Sequence, residues 1–193
     1  IVQETIKERV SSLAGVPSWM LVLLNEVLAT TGAAHLHEIW PQLEVYFHGG
    51  VNFDPYRDQY KNLLPKSDFR YYEIYNASEG FFALQDQSNS DELLLMLDYG
   101  IYYEFIPMDT YDTDHQKVIP LHQVEIGKNY AVVITTNAGL WRYIIGDTVR
   151  FTSLSPYRIK ITGRTKHHIN VFGEELIIEN AEEALRIAAR VQE

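Results

Sequence analysis

The chain has no cysteine among its 193 residues, which excludes disulfides, thiolate metal sites and a cysteine nucleophile. It also lacks a long hydrophobic run. The longest apolar stretch lies within residues 19–24, far short of the roughly 20 residues a membrane-spanning helix needs. Basic residues are scarce, 16 Lys and Arg against 26 Asp and Glu, giving a formal net charge of −10. An acidic chain with no basic run is a poor partner for nucleic acid or an anionic membrane, and neither is expected. No internal repeat or low-complexity segment is present. The chain opens on Ile1 and a charged amphipathic stretch rather than a signal peptide, so a cytoplasmic protein is expected. The missing initiator Met and abrupt ends imply a fragment of a longer polypeptide.

What is there can bury a core. Hydrophobic residues make up 46% of the chain, with 13 Tyr, 8 Phe and 3 Trp, enough for one sizeable core and a second small unit. Residues 4–12 read as a polar helix or its end. Pro17 opens a strongly apolar helix to about Thr30, and Gly32 sits where a left-handed C-terminal cap is expected. Apolar on nearly every face, that helix is expected to be buried. A short apolar strand over 43–47 leads into His48-Gly49-Gly50, and Pro55 opens a second helix to about Leu64. An aromatic-rich strand over 69–75 runs into Asn76-Ala77-Ser78-Glu79-Gly80, with another strand at 81–84.

From Glu92 the rhythm changes. Short β-type runs at 92–97, 101–106, 129–136, 147–153 and 157–162 follow one another, separated by turn residues and a polar loop over 109–117. This predicts an antiparallel sheet or small barrel after an α/β part. The tail 180–192 reads as a helix, with Asn180 and Glu183 as its cap.

Four short motifs could carry chemistry. Tyr75-Asn76-Ala77-Ser78-Glu79-Gly80 sets a hydroxyl beside a carboxylate at a strand end, where open α/β sheets place their ligands. A hard oxygen there could hold Mg²⁺ and the Ser78 hydroxyl could reach a phosphate, while a plain polar turn closed by Gly80 is the alternative. His48-Gly49-Gly50 would let backbone approach a flat ligand, or form an ordinary turn. Gly146-Asp147 offers a carboxylate for both hydroxyls of a ribose, or makes a hairpin turn. Gly163-Arg164-Thr165-Lys166, followed by Gly173-Glu174-Glu175, brings two cations after a strand, either for ribose or phosphate oxygens or as a solvated basic turn. Three other features are set aside. Thr30-Thr31-Gly32 is a helix end, the adjacent His167 and His168 would face opposite sides of a strand, and Asp109, Asp112 and Asp114 lack the Gly and Glu of a calcium loop.

The order of these motifs is more specific than any one of them. Ser12-Leu13-Ala14-Gly15-Val16-Pro17-Ser18-Trp19, Tyr46-Phe47-His48-Gly49-Gly50-Val51, Tyr75-Asn76-Ala77-Ser78-Glu79-Gly80-Phe81-Phe82 and Trp141-Arg142-Tyr143-Ile144-Ile145-Gly146-Asp147 follow one another along nearly the whole chain. The series resembles the second half of the adenylate-forming superfamily of acyl-CoA synthetases, luciferases and peptide-synthetase adenylation domains. Within it, the wording is most similar to the auxin-responsive (Gretchen Hagen) acyl acid amido synthetases and their bacterial relatives.

The resemblance implies an α/β (α+β) fold. Residues 1–90 would be the α/β part of a large domain, 91–163 its antiparallel sheet or barrel, and 164–193 a hinge and the start of a small C-terminal domain. It implies that Gly49, Gly50 and Val51 flank an adenine, and that Tyr75, Ala77 and Ser78 line the nucleotide and acyl-adenylate site. Glu79 would contact Mg²⁺. Tyr143 and Asp147 would hold the adenosine, Asp147 on the ribose hydroxyls, and Arg164 would meet ribose or phosphate. Lys166 would sit at the hinge, while Val16 and Trp19 border an acyl pocket. Plant members often carry a basic residue where this chain has Ile144.

The implied activity is an ATP- and Mg²⁺-dependent ligase that converts a small carboxylic acid to an acyl-adenylate and joins it to an amino acid. An acyl-CoA ligase, or a non-catalytic binding protein keeping the fold, are the alternatives. A phosphate loop would lie upstream of Ile1, so the isolated fragment is expected to be inactive. The acid, the acceptor and the oligomeric state are not legible.

Overall fold

The computed structural model describes residues 1–165 and, beyond them, the backbone of two short strands at 168–171 and 174–177. The predicted helix at 180–192 lies outside the described residues. The chain divides into two units, Ile1–Met96 and Leu97–Glu193.

The first unit begins with a single helical turn, α1 (Val2–Thr5), so the polar helix expected over 4–12 ends early. A strand not anticipated from sequence follows, β1 (Ser12–Gly15), and leads directly into α2 (Pro17–Thr31). Pro17 fits the first turn because its missing N–H would have no intrahelical partner there. At the other end Gly32 takes φ 71° and donates its N–H to the Leu28 carbonyl at 2.8 Å, the left-handed cap foreseen for it. Next come β2 (Val45–His48), a 3₁₀ turn at Asp54–Tyr56, and α3 (Arg57–Leu63). Three further strands complete the unit, β3 (Arg70–Ala77), β4 (Gly80–Leu84) and β5 (Leu93–Leu95). β1, β2 and β3 pair in parallel, with α2 and α3 in the two crossovers that parallel neighbours require. β3, β4 and β5 continue the sheet antiparallel.

The expectation that α2 is buried all round is corrected. Pro17, Leu21, Leu24 and Val27 form one buried stripe at helical spacing. They pack with Leu13, Trp40, Leu43, Tyr46, Tyr60 and Phe69 in the core of this unit. Trp19 and Val22, off that stripe, are 66% and 72% exposed. A helix lying on one side of a sheet buries one face, however apolar the other.

Among the described residues the second unit is almost wholly β. Its strands are β6 (Ile101–Pro107), β7 (Ile119–Pro120), β8 (Asn129–Thr136), β9 (Tyr143–Leu154) and β10 (Tyr157–Arg164), hydrogen-bonded in the order β10-β9-β8-β6-β7. All of these pairings are antiparallel. The short strands β11 (His168–Val171) and β12 (Glu174–Ile177) form a separate antiparallel pair. β8 is central and buried continuously from Tyr130 to Ile134, so it shows no polar alternation. On one side Phe105, Tyr130 and Phe151 meet edge to face, with centroids 5.0 to 6.0 Å apart. Ile106, Ala131 and Val133 form a second, smaller cluster. Residues 109–117, expected as a polar loop, are turns and a bend over 109–115 followed by irregular chain, mostly exposed.

Leu24 and Val22 share one helix and differ only in the face they occupy. Leu24→Ala should lower the unfolding free energy by about 2–5 kcal/mol, as for other fully buried leucines. Val22→Ala should change it by under about 0.5 kcal/mol. Urea unfolding of the two variants checks this; equal losses would contradict the one-faced packing.

Candidate functional site

Gly15, His48 and Glu73 lie in register across β1, β2 and β3. Past these positions β1 and β2 end, and their carboxyl ends open into loops where ligands of open α/β sheets bind. Two buried hydroxyls hold the first of these loops. Tyr46 Oη donates to the Gly15 carbonyl at 2.9 Å, and Tyr60 Oη lies 2.9 Å from the Pro17 carbonyl and 3.1 Å from Tyr46 Oη. The two rings stack at 4.8 Å. Burial pushes the Tyr46 hydroxyl up to about 12 and raises that of Tyr60 as well, so both remain protonated donors.

The glycine pair after β2 has two different physical reasons. A Cβ on Gly49 would stand 2.3 Å from the Ile74 carbonyl oxygen of β3, so only glycine lets the backbones come this close. Gly50 has φ 82°, and its Cβ position lies 3.4 Å from Val16 Cγ2. The structure therefore brings Val16 next to the glycine pair. Val51 is partly exposed beside them, whereas Trp19 projects from the first turn of α2 into solvent. His48, adjacent to the glycines, carries a role that sequence reasoning missed. It is buried and stacks on Phe53 at 4.1 Å and 18°, closing the loop that contains both glycines. Arg57 lies over the other partner of that stack, 5.0 Å from the Phe53 centroid. Burial, with Arg57 adding to it, holds His48 down to about 4, and its Nδ1 has no hydrogen-bond partner among the described residues.

β3 and β4 form a tight hairpin. Ala77 pairs with Gly80, leaving Ser78 and Glu79 as the two-residue connection. Ser78 is exposed and Glu79 half-buried at the tip, while Tyr75 is buried against Phe82 with rings 4.9 Å apart. Ser78 lies four residues past Ile74 and the Gly49 contact, roughly 13 Å along an extended strand. Glu73, at the level of His48, has its pKa raised by burial, with Asp91 and Asp54 adding to it.

In the second unit, Gly146-Asp147 makes no hairpin turn. It lies inside β9, at a bulge where the pairing with β8 jumps from Val133↔Ile144 to Ala131↔Thr148. Gly146 supplies φ 91°, and the Thr165 N–H donates to its carbonyl at 2.7 Å. Such bulges re-aim side chains. Asp147 then accepts a hydrogen bond from Arg164 Nε at 3.0 Å, with Asp147 only 16% exposed and Arg164 43%. Arg164 lies at the end of β10 rather than after it, opposite Asp147 in register. Two residues singled out separately in the sequence are thus one acid–guanidinium pair. Tyr143 begins β9 and is 41% exposed. Lys166 lies outside the described residues. An open cavity of about 320 Å³ elsewhere in this unit, lined by Tyr102, Tyr103, Leu121, His122 and Tyr157 among others, contains none of these residues.

The family model for the GH3 family N-terminal domain matches residues 1–69, and that for the GH3 family central domain matches residues 94–164. The chain belongs to the GH3 family. This GH3 chain is 30% identical over 165 residues to indole-3-acetic acid-amido synthetase GH3.4 of Arabidopsis thaliana, covering 79% of the chain and 27% of that protein. It is 32% identical over 131 residues to indole-3-acetic acid-amido synthetase GH3.8 of Oryza sativa subsp. indica, covering 62% and 21%. The GH3 chain therefore spans about a quarter or less of the length of these relatives. Its fold is similar to that of the acyl acid amido synthetase AtGH3.15 in complex with 2,4-DB, with a TM-score of 0.63 at 15% identity over 92% of the chain and 40% of that structure. It is also similar to 2-hydroxyisobutyryl-CoA ligase in complex with 2-HIB-AMP and CoA, at 0.61 and 19% over 96% and 43%. The mixed α/β fold of the adenylate-forming enzymes, expected from the motifs, is the fold observed.

Two outcomes follow from the glycine loop. Gly49→Ala should destabilise the chain by about 1–3 kcal/mol, because the new methyl meets a backbone oxygen; an unchanged urea midpoint would contradict the close approach. His48 offers a pH test. The folded chain takes up this proton only near pH 4, while the unfolded chain takes it up near the ordinary 6.5. Between those values the unfolded state binds more protons, so stability falls as pH drops through the window, by up to about 3 kcal/mol. His48→Gln should flatten the stability–pH curve from pH 6.5 to 4 relative to the parent; an identical slope would show that His48 is not held neutral.

Proposed function

We propose that the polypeptide carrying this chain activates a carboxylic acid with ATP and passes the acyl group to an amino acid. The observation that carries the reading is the GH3 match in both units, on the segments that bear the glycine loop and the Asp147–Arg164 pair. A carboxylate is a poor electrophile, since its charge repels nucleophiles and its leaving group would be oxide. In the first step a carboxylate oxygen attacks the α-phosphorus of ATP and pyrophosphate leaves. In the second the amine nitrogen attacks the acyl carbon, the C–O bond to AMP breaks, and the nitrogen loses a proton. Catalysis then consists of positioning and charge neutralisation, with no covalent protein nucleophile required.

In this reading Gly49, Gly50 and Val51 flank the adenine, and Tyr75, Ala77 and Ser78 line the nucleotide and acyl-adenylate. Tyr143 and Asp147 hold the adenosine, Asp147 accepting from the ribose hydroxyls. Arg164, oriented by Asp147, meets ribose or phosphate oxygens. Val16, beside Gly50, borders the acyl group, with Trp19 further out. Among the described residues no three acids or histidines converge as a metal site. One carboxylate at the hairpin tip, Glu79, suits Mg²⁺, which binds through one or two carboxylates and the substrate's own phosphates. Bound there, Mg²⁺ would offset charge on the phosphate oxygens. The relatives named for indole-3-acetic acid put that acid first among the substrates to try. A reaction that consumes ATP fits the cytoplasm.

ATP–pyrophosphate exchange by the whole polypeptide, measured with a panel of carboxylic acids, tests the reading. Acid-dependent exchange is expected, with an amide as the product when amino acids are added. Asp147→Ala should weaken ATP by about 10–100-fold, the worth of a hydrogen bond to a charged group. Glu79→Ala should abolish the Mg²⁺-dependent exchange. No exchange with any acid would overturn the proposal, and a CoA thioester in place of the amide would move it to acyl-CoA ligation.

A further inference from the structure

Arg142 has φ 47°, a left-handed backbone that side-chain-bearing residues avoid. Among the described residues one other non-glycine shares such a value, Asp112, which sits in an exposed polar loop. Arg142 sits between β8 and β9, immediately before the strand that carries Tyr143 and Asp147. Three hydrogen bonds hold it there. Its Nε and Nη2 donate to the two oxygens of Glu104 at 3.0 and 3.1 Å, a parallel fork, and its backbone N–H donates to Thr135 Oγ1 at 3.0 Å. Glu104 belongs to β6 and Thr135 to β8, so one residue is tied to the neighbouring strand β8 and to β6 on its far side. The Glu104 carboxylate is 17% exposed and the Arg142 side chain 61%, so the fork lies at the surface with its acid end sheltered, and its two-point geometry rather than burial gives it direction.

Strained backbone persists where the surroundings over-determine it, and such positions gather at functional sites. Here the strain buys nothing for the core, because Trp141 and Tyr143 on either side are 81% and 41% exposed. Its effect is on direction. From Arg142 the chain enters β9, pairs Tyr143 with Ile134 and Ile144 with Val133, and then bulges at Gly146. The segment is fixed at two points, the fork at Arg142 and the Thr165 N–H on the Gly146 carbonyl at 2.7 Å. Tyr143 lies between them and Asp147 just beyond.

We infer that the Arg142–Glu104 fork sets the entry of β9 and thereby the presentation of Tyr143 and Asp147, which makes Arg142 a positioning residue for nucleotide binding. The inference rests on the adenylation reading for what Tyr143 and Asp147 contact, but the fork itself does not depend on it.

The test uses the whole polypeptide with Arg142→Gly, Arg142→Lys and Glu104→Gln. Glycine keeps the left-handed backbone without strain, so that variant is expected to fold and to melt near the parent. Amide hydrogen exchange of 143–145 should quicken about tenfold in the glycine and Gln variants. The KM for ATP in pyrophosphate exchange should rise about tenfold, while kcat and the KM for the acid stay within about twofold. Arg142→Lys, with a point charge in place of the fork, should fall between. Unchanged amide exchange would remove the fork as an anchor. Faster amide exchange with an unchanged KM for ATP would remove the positioning role, as would equal changes in every kinetic constant. A parent polypeptide that performs no ATP–pyrophosphate exchange would refute the adenylation reading and the positioning role with it, and amide exchange would still decide the fork.

Discussion

A strand that runs straight into a helix inside a core leaves backbone carbonyls with no ladder partner, and burying one unpaired costs about 1–3 kcal/mol. The passage from β1 to α2 meets this constraint at Gly15, the last residue of β1. Its solution comes from far along the chain, from the Tyr46 hydroxyl on the Gly15 carbonyl, while the Tyr60 hydroxyl reaches the Pro17 carbonyl and ties the first turn of α2 to the same place. Both rings are fully buried and bring a large apolar surface to the same place. The polar requirement and the core are therefore met by the same two side chains. Because Tyr46 is on β2 and Tyr60 on α3, the arrangement also joins the two crossovers of the parallel sheet. The loop with the glycine pair is built on that frame.

The candidate residues in the two units are presented in contrasting ways. After β2, the absence of a side chain at Gly49 lets main chain approach main chain, and the His48–Phe53 stack closes the loop around it. In β9, Gly146 serves by its torsion, and the bulge it permits delivers Asp147 to Arg164. One device brings backbone in; the other turns a side chain. Both fix a local geometry through the backbone rather than through a flexible side chain.

Much of this was legible where local chemistry decides. Pro17 and Gly32 mark the ends of α2 because each serves a helix terminus for a reason internal to the residue. The strands at 101–107 and 129–136 were visible as apolar runs between turns. β1 was not, because Ser12-Leu13-Ala14-Gly15 is short and small, and its strand state comes from pairing with β2. The exposure of Trp19 and Val22 was equally hidden, since hydropathy does not say which side of a helix meets the sheet. Among the candidate site residues, Gly146-Asp147 was found, but its hairpin alternative fails, because a long-range register shift that the sequence does not show makes the pair a bulge inside β9. Arg142 stood in the sequence only as a member of a resembling stretch, with no role of its own. Its torsion is an outlier for its residue type, and Glu104 lies 38 residues away in sequence.

The continuous burial of β8 also bears on how such a sequence can diverge. A strand packed on both faces tolerates neither insertion nor register slip, since a shift of one residue would turn every side chain over. The mostly exposed chain over 109–117, between β6 and β7, carries no such restriction. Loop closure grows only slowly more costly with length. Length variation among homologues should therefore gather in that connection, and the central strand should drift in residue identity while keeping its size and its count.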